Sequence, residues 1–344
     1  YDVMVPLTGG KDSVFALYCM TRMVPGLRVL AFTWDHGFNE EQAWQNIHQA
    51  VKKTGVDHLV YRIGGSEEIA LKLILGFHKT FGCPCEVCVL QHFVIPKTAL
   101  ELEIPLVPWG IINGQNGVNY RRGLHPYTRQ DIHDSLFLGL QVFKTVLQFN
   151  LKDQMNQILT EMSAPFKKAL ASENDILFHN LTLGYYFNWN LRDQEIVKLL
   201  HDEFGFIKPK DEMTHTSCKL AQIRGYREYT CPPKKGLPFL RKAVPGPMEL
   251  ETNIMVREGI ISRERGFKEL EAHAIGNVKP VAVIEEYNRI TGIDMATFDR
   301  YFSRQRPPFK FIWFGIWQLV LSATYRVVGI FSNRNKRIKG TVSA

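Results

Sequence analysis

Strand-like and helix-like segments alternate through the first half of the chain, and this order restricts the possible folds strongly. Apolar runs rich in Val, Leu and Phe predict four strands, within YDVMVPL, LRVLAFTW, DHLVYRI and IPLVPWG. The segments between and around them predict helices over Ser13 to Arg22, Glu40 to Thr54, Glu67 to Phe77 and Gln91 to Leu102. Strands joined by helical crossovers form parallel sheets, so we predict an α/β fold with a doubly wound, mainly parallel sheet.

The second half of the chain predicts further elements around this sheet. A last strand is expected within DILFHNLTLG, and a helix over Asp193 to Phe204 follows it. The segment GQNGVNYRRGLHPYTR predicts a loop, and the helix-like Asp131 to Leu170 predicts an insertion. Short helices over Arg263 to Ala274 and Asp294 to Phe302 predict a helical C-terminal region. The expected units are a core over 1–130, a helical insertion over 131–170, the rest of the core with the helical region over 171–303, and a tail over 304–344.

The positive charge of the chain is concentrated in its tail. The 344 residues carry a formal net charge of +8, which by itself suggests a nucleic-acid partner. Between Tyr301 and Ala344 there are eight Lys and Arg residues and no acid, so subtracting 8 from +8 leaves residues 1–300 formally neutral. A neutral body has no general attraction for a phosphate backbone, and we therefore expect no nucleic-acid partner.

The tail also contains an uncharged apolar segment, Phe311 to Tyr325. Its 15 residues fall short of the roughly 20 that a bilayer span needs. Two alternatives remain: an interfacial helix that contacts a membrane peripherally, and a helix that packs on the body or on a partner. The first residues of the chain predict a strand rather than a signal peptide, so we expect a cytoplasmic location.

The junction between the first predicted strand and the first predicted helix has a composition suited to anions. In order, its residues are Thr8, Gly9, Gly10, Lys11, Asp12 and Ser13. Backbone N–H groups and the helix dipole attract anions at a helix start, and glycines let a phosphate approach the backbone closely. The two hydroxyls and the lysine add donors, while Asp12 is expected to orient the loop or to hold Mg²⁺. The spacing differs from the GxxxxGK[ST] of a Walker loop.

The string TGGKDS resembles the SGGxDS loop of the PP-loop ATP pyrophosphatases, with Thr8 where that family usually has Ser. Further stretches narrow the resemblance: TWDHGFN, CPCEVC, IPLVPWG, LGYYFNWN, SCKLAQIRGY and ETNIMVREGIISRERG. Together they are similar to the N-acetyl sugar amidotransferases of bacterial surface-polysaccharide biosynthesis, including that of lipopolysaccharide O-antigen. The similarity runs from Tyr1 to about Phe302, apart from most of the expected insertion. It implies a Rossmann-like fold of the HUP, or PP-loop, type.

This resemblance implies a carbon–nitrogen ligase that forms AMP and pyrophosphate. ATP, with Mg²⁺, would adenylate the acetamido oxygen of a nucleotide-linked N-acetyl sugar, and ammonia would then displace AMP to give an acetamidino sugar. The ammonia would come from a separate glutaminase subunit, because no cysteine of this chain lies in a nucleophile-elbow context. The nucleotide sugar and the glutaminase are therefore the expected partners.

The resemblance also implies the site residues. Lys11, Asp12 and Ser13 would act in catalysis: the loop's N–H groups, Lys11 and Mg²⁺ would stabilise the departing pyrophosphate. The expected ATP-binding residues are the loop itself, with Thr8, Gly9, Gly10, Lys11, Asp12 and Ser13, then Thr33, Asp35 and His36 after the second strand, and Gly110 and Asn113 after the fourth. Relatives often carry an acid directly after the Trp-Gly pair, where this chain has Ile111. Because isoleucine has no carboxylate, Ile111 cannot make the contact to substrate or metal that an acid at this position would make.

Cys85 and Cys88 have the CxxC spacing of a metal site, with Cys83 two residues before them. A third ligand has to come from elsewhere, and Cys218 in the SCKL stretch is the best candidate. Zn²⁺ is the first expectation. A [4Fe–4S] cluster held by three cysteines, as in some PP-loop sulfur-transfer enzymes, is the alternative. A set of reduced structural cysteines is the third reading.

Two other functions compete with the amidotransferase. The first is a PP-loop sulfurtransferase that thiolates tRNA or a small molecule through a cysteine-bound cluster or zinc. The second is a scaffold that binds a nucleotide without hydrolysing it and recruits partners through the tail.

Overall fold

The computed structural model describes residues 1–62, 64, 87–110, 123–129, 131–132, 166–186, 194–208, 217–223, 252–253, 256–257, 259, 261–276, 279–292 and 295–296. The predicted helix over Glu67 to Phe77, most of the predicted insertion and the tail lie outside these ranges. Among the described residues, no helix is both long enough and apolar enough to cross a bilayer.

Among the described residues, six strands form two hydrogen-bonded groups of three, which lie side by side as one sheet. The first three are β1 (Val3–Pro6), β2 (Val29–Asp35) and β3 (Asp57–Arg62), which pair in parallel in the order β1-β2-β3. The others are β4 (Leu106–Trp109), β5 (Leu124–Thr128) and β6 (Ile176–Thr182), in the order β4-β6-β5, where β4 is parallel and β5 antiparallel to β6. Because β4 contacts β1, the strands follow one another as β3-β2-β1-β4-β6-β5.

Six helices accompany these strands in the described residues. They are α1 (Lys11–Tyr18), α2 (Glu41–Thr54), α3 (Val87–Glu101), α4 (Gln194–Phe204), α5 (Arg263–Gly276) and α6 (Val281–Thr291). A π-helical turn over Cys19–Met23 continues α1. Gly55 and Gly292 end α2 and α6 in the left-handed conformation, which glycine adopts without steric cost.

Hydrophobic cores cover both faces of the sheet, as the apolar sequences of its central strands require. On one face, side chains that include Met4, Leu30 and Phe32 pack with residues of α3 and α6. On the other face, Val5 and Ala31 pack with residues of α1, α2 and α4. Helices on both faces of a mainly parallel sheet confirm the predicted doubly wound α/β fold, and α5 and α6 confirm helical structure near the C-terminus.

Two elements differ from the prediction. The strand β5 lies in a segment that was predicted to be a loop because of its glycines and Pro126. Proline donates no hydrogen bond to a ladder, yet here it lies opposite His179 in an antiparallel pair, a setting that tolerates it at an edge. The helix α6 was not predicted. Its buried Ile284 and Tyr287 are three residues apart, a spacing that places both on one helix face.

A buried threonine connects the first three strands. Thr33 in β2 is 1% exposed, and its Oγ1 donates a hydrogen bond of 2.8 Å to the carbonyl oxygen of Leu7, directly after β1. The same oxygen lies 2.8 Å from Nε2 of His58 in β3. Because Oγ1 donates its proton to Leu7, it accepts from His58, which places the imidazole proton on Nε2.

Replacing this hydroxyl should destabilise the protein. In Thr33→Val the carbonyl of Leu7 and Nε2 of His58 lose their partner, and we expect the free energy of unfolding to fall by about 1–3 kcal/mol. Chemical denaturation measures the change. The matched control is Thr98→Val, because the buried Thr98 hydroxyl bonds the helical carbonyl of Val94, which the helix itself can satisfy. Equal losses in the two variants would contradict the role of Thr33.

Candidate functional site

The predicted anion loop lies where the order of the strands reverses. It connects β1, which ends at Pro6, to α1, which begins at Lys11. From β1 the chain proceeds to β2 and β3 on one side, whereas β4 lies on the other side. Helices that leave neighbouring strands in opposite directions open a crevice at the carboxyl ends of those strands, and this is where doubly wound folds bind ligands.

Hydroxyl groups hold this loop closed. Ser13 is 7% exposed, and its Oγ donates a hydrogen bond of 2.9 Å to the carbonyl oxygen of Gly10. The same Oγ accepts hydrogen bonds of 3.1 Å from the backbone N–H and from Oγ1 of Thr8. The two hydroxyls that were predicted to bind ATP therefore bond each other across the loop and fix its curvature.

Gly9 is required by its conformation and by its surroundings. Its φ of +77° lies in the left-handed region, which side chains disfavour. A Cβ at this position would lie 2.2 Å from the carbonyl oxygen of Ala43, so the loop rests directly on the first turn of α2. Gly10, by contrast, is extended with φ −80° and ψ 159°, and it precedes the helix as its N-cap.

Gly110 brings the end of β4 against the start of α1. A Cβ on Gly110 would lie 2.2 Å from the carbonyl oxygen of Asp12 and 2.9 Å from the nitrogen of Ser13. The residue that follows β4 thus touches the loop that follows β1, although 97 positions separate Gly110 from Ser13. The structure brings these predicted site residues together, whereas Asn113 lies outside the described residues.

The two charged residues of the loop form an ion pair. Nζ of Lys11 lies 2.7 Å from Oδ1 of Asp12, and their side chains are 11% and 18% exposed. A partly buried pair of this kind holds the ammonium at the start of α1, where the helix dipole also favours an anion. Asp12 offers the carboxylate oxygens that Mg²⁺ prefers, so the donor set of the loop suits both a phosphate and its magnesium ion.

Asp35 and His36 follow the sheet at the carboxyl end of β2. Asp35 accepts a hydrogen bond of 3.0 Å from the backbone of Gly37, and its other oxygen lies 3.3 Å from Nε of Arg62. Nδ1 of His36 accepts a hydrogen bond of 3.2 Å from the backbone N–H of Phe38. Burial lowers the pKa of His36 to about 4, and the nearby Asp35 carboxylate only partly opposes this shift. His36 is therefore neutral at neutral pH.

A short segment, residues 217–223, contacts the residues that follow β2, and Cys218 lies in this segment. Cys218 forms an isolated antiparallel bridge with Asn39, and the neighbouring Lys219 N–H donates a 2.8 Å bond to the carbonyl oxygen of Phe38. Gln222 Nε2 donates a 2.6 Å bond to Oε1 of Glu40. The backbone of the half-buried Cys218 thus lies beside the residues that follow β2.

The structure describes only part of the predicted metal site. Cys85 lies outside the described residues, and Cys88 is part of α3, but its side chain is not among those described. Within the described part of the chain, no group of three or more metal-binding side chains comes together. Cys218 is the predicted ligand whose surroundings the structure describes.

Sequence reasoning missed Asn46, a buried polar residue of α2. It is 2% exposed and lies on the helix face that also buries Ala43, Ile47 and Ala50. Its Nδ2 donates a hydrogen bond of 3.1 Å to the carbonyl oxygen of Gly9. The signal was present in the sequence, since the spacing i, i+3, i+4 and i+7 predicts an apolar face, and an amide on that face needs a partner.

Comparison with known proteins adds little to these observations. No protein-family profile matches the chain, and no curated protein matches it. Solved structures do match, among them a U34-tRNA thiolase from Methanococcus maripaludis with its [4Fe–4S] cluster. The identity is 12% and the TM-score 0.32, over 79% of this chain and 70% of the thiolase. A similarity this distant carries no argument about function.

The packing of Gly110 can be tested by adding one methyl group. In Gly110→Ala the Cβ would overlap the backbone of Asp12, so β4 and α1 have to separate, and we expect a loss of about 1–3 kcal/mol in the free energy of unfolding. The control is Gly64→Ala, since a Cβ on Gly64 would meet no atom within 4 Å. Chemical denaturation compares the two variants, and equal stabilities would disprove the close approach.

The burial of His36 predicts a dependence of stability on pH. The unfolded state binds a proton with a pKa near 6.5 and the folded state only near 4, so the unfolded state gains protons first as the pH falls. Stability is therefore full above pH 6.5 and declines towards pH 4, by about 3 kcal/mol at most from this residue.

The variant His36→Asn isolates this contribution, because asparagine keeps an acceptor for the Phe38 N–H but does not titrate. We expect its free energy of unfolding to decline less than that of the wild type between pH 7 and pH 4, measured by urea denaturation at each pH. Parallel curves for the two proteins would show that His36 is not buried in its neutral form.

Proposed function

We propose that this chain is an ATP-dependent enzyme of the PP-loop pyrophosphatase type. In this proposal the loop from Thr8 to Ser13 binds the diphosphate that leaves when AMP is transferred to an acceptor. The observation that carries it is the tight, glycine-dependent loop between β1 and α1 at the reversal of strand order. Gly9 rests on α2 and Gly110 rests on α1, so the backbone at the helix start is held rigidly, as binding of a phosphate requires.

The chemistry follows from the charges of this loop. An acceptor oxygen attacks the α-phosphorus of ATP, the bond between the α- and β-phosphates breaks, and pyrophosphate leaves. Lys11 would stabilise the negative charge that develops on the leaving group, and it would exchange its contact with Asp12 for one with phosphate. Mg²⁺, held by the Asp12 carboxylate, would supply further charge neutralisation.

The finer proposal concerns the acceptor. By its sequence resemblance, the chain adenylates the acetamido oxygen of a nucleotide-linked N-acetyl sugar. Ammonia then adds to the activated carbon and AMP leaves, so one amide, one ATP and one ammonia give one amidine, AMP and pyrophosphate. No covalent enzyme intermediate is needed, because AMP converts the amide oxygen into a good leaving group. A separate glutaminase would supply the ammonia, and the formally neutral residues 1–300 favour a small substrate over a nucleic acid.

A second candidate function is sulfur transfer, and the position of Cys218 favours it. Its backbone pairs with that of Asn39, beyond the carboxyl end of β2, on the same edge of the sheet as the loop. A cluster or zinc ion held by Cys85, Cys88 and Cys218 would then lie close to an adenylated substrate. Only one of these side chains is described, so the geometry of such a site stays a proposal.

Release of pyrophosphate tests the principal proposal. We expect the wild type to release pyrophosphate from MgATP when a UDP-N-acetyl sugar and ammonium are both supplied. Lys11→Ala should lower the rate about 100-fold or more, which is the typical cost of removing one transition-state contact. The control is Lys52→Ala, which removes the same charge in the last turn of α2, at the opposite end of that helix from the turn that touches the loop. Full activity of Lys11→Ala, or no release across a broad panel of sugars, would contradict the proposal.

Anaerobic purification separates the two functions. The sulfurtransferase predicts iron and sulfide in the protein, visible absorbance from the cluster, and loss of both in Cys218→Ser. The amidotransferase predicts sugar-dependent pyrophosphate release that does not require sulfide. A colourless protein without iron that releases pyrophosphate with a sugar would exclude the cluster.

A further inference from the structure

Asn46 uses its whole amide to hold backbone groups of two other segments. Nδ2 donates to the carbonyl oxygen of Gly9 at 3.1 Å and to the carbonyl oxygen of Ile207 at 3.0 Å. Oδ1 accepts the backbone N–H of Ile207 at 2.9 Å. The loop after β1 and the chain after α4 are thus joined through one side chain of α2.

The contact with Gly9 determines the direction of the next N–H group. The carbonyl of Gly9 and the N–H of Gly10 belong to one peptide unit, and no cis peptide bond occurs among the described residues. In a trans peptide the C=O and N–H bonds point in opposite directions. Because Asn46 holds the Gly9 carbonyl towards α2, the N–H of Gly10 points away from α2, to the opposite side of the loop.

The φ of +77° at Gly9 makes this orientation possible, but it does not maintain it. A glycine peptide rotates at little cost, since no Cβ restricts it. A buried amide that loses its partner costs free energy, so the peptide cannot rotate without breaking the bond to Asn46. Asn46 therefore restricts the rotation of this peptide.

We propose that Asn46 is a positioning residue, which aims the Gly10 N–H at the diphosphate of the bound nucleotide; this inference rests on the proposed function. In this inference Asn46, which lies outside the loop, preorganises one of the loop's hydrogen-bond donors, the Gly10 N–H. The competing explanation is purely structural: Asn46 could simply attach the chain near Ile207 to α2, without effect on the ligand.

The variant Asn46→Asp distinguishes the two roles. A carboxylate of the same shape can still accept the N–H of Ile207, but it offers no proton to the carbonyl oxygens of Gly9 and Ile207 and repels both. Asn46→Ala removes all three hydrogen bonds. The control is Ile47→Ala, a neighbouring buried position on α2 whose substitution destabilises the core, but whose side chain has no polar group to bond the loop. Melting temperatures of all variants show how far each is destabilised.

Isothermal titration of the full chain with magnesium pyrophosphate and with AMP gives the readout. We expect Asn46→Asp and Asn46→Ala to bind pyrophosphate about tenfold more weakly, the effect of one lost hydrogen bond. Their affinity for AMP, which lacks the diphosphate, should stay close to that of the wild type. Ile47→Ala should bind pyrophosphate as the wild type does, even at a similarly lowered melting temperature.

Three results would overturn the inference. If the wild type binds pyrophosphate and Asn46→Asp binds it equally well, Asn46 has no positioning role and the proposed function is unaffected. The same holds if the loss in Asn46→Asp is matched by Ile47→Ala at the same melting temperature. If the wild type binds neither pyrophosphate nor ATP, the proposed function fails and this inference fails with it.

Discussion

Close backbone contact at the junction of β1 and α1 is the constraint on which the rest of the site depends. Gly9 lies against Ala43 of α2, and Gly110 lies against Asp12 of α1, at distances that no Cβ would allow. These contacts bring two strands and two helices together at one point. A loop held from both sides keeps its N–H groups in fixed directions. Such a loop can bind a phosphate without an entropic cost for ordering its backbone.

Buried polar groups below the loop maintain this arrangement. Thr33 bonds the Leu7 carbonyl just before the loop, and Asn46 bonds the Gly9 carbonyl within it. Each lies among apolar side chains on one face of the sheet, where an unsatisfied polar atom would be costly. Thr33, which was expected to contact ATP, bonds instead to the neighbouring strands. The prediction that it binds the nucleotide remains untested, but its hydroxyl has a clear role in shaping the floor of the loop.

The sequence predicts most of the fold because the local pattern of apolar residues agrees with the burial of those residues in the structure. The apolar runs that form β1 and β2 are buried on both faces. Gly9 and Gly10 mark the turn between β1 and α1. The strand β5 was missed because Pro126 argues locally against a strand, whereas pairing with β6 is a contact distant in the chain. Asn46 was missed for a related reason: its partners, Gly9 and Ile207, are far from it in sequence. Alternation along β2 does place Thr33 on the same face as Ala31, so its orientation could have been inferred.

A crystal structure of the protein with MgATP or a non-hydrolysable analogue tests the central claim most directly. The account predicts the β- and γ-phosphates within hydrogen-bond distance of the Gly10 N–H and of Nζ of Lys11, with the loop otherwise unchanged. Phosphates bound elsewhere, with the junction of β1 and α1 empty, would contradict it.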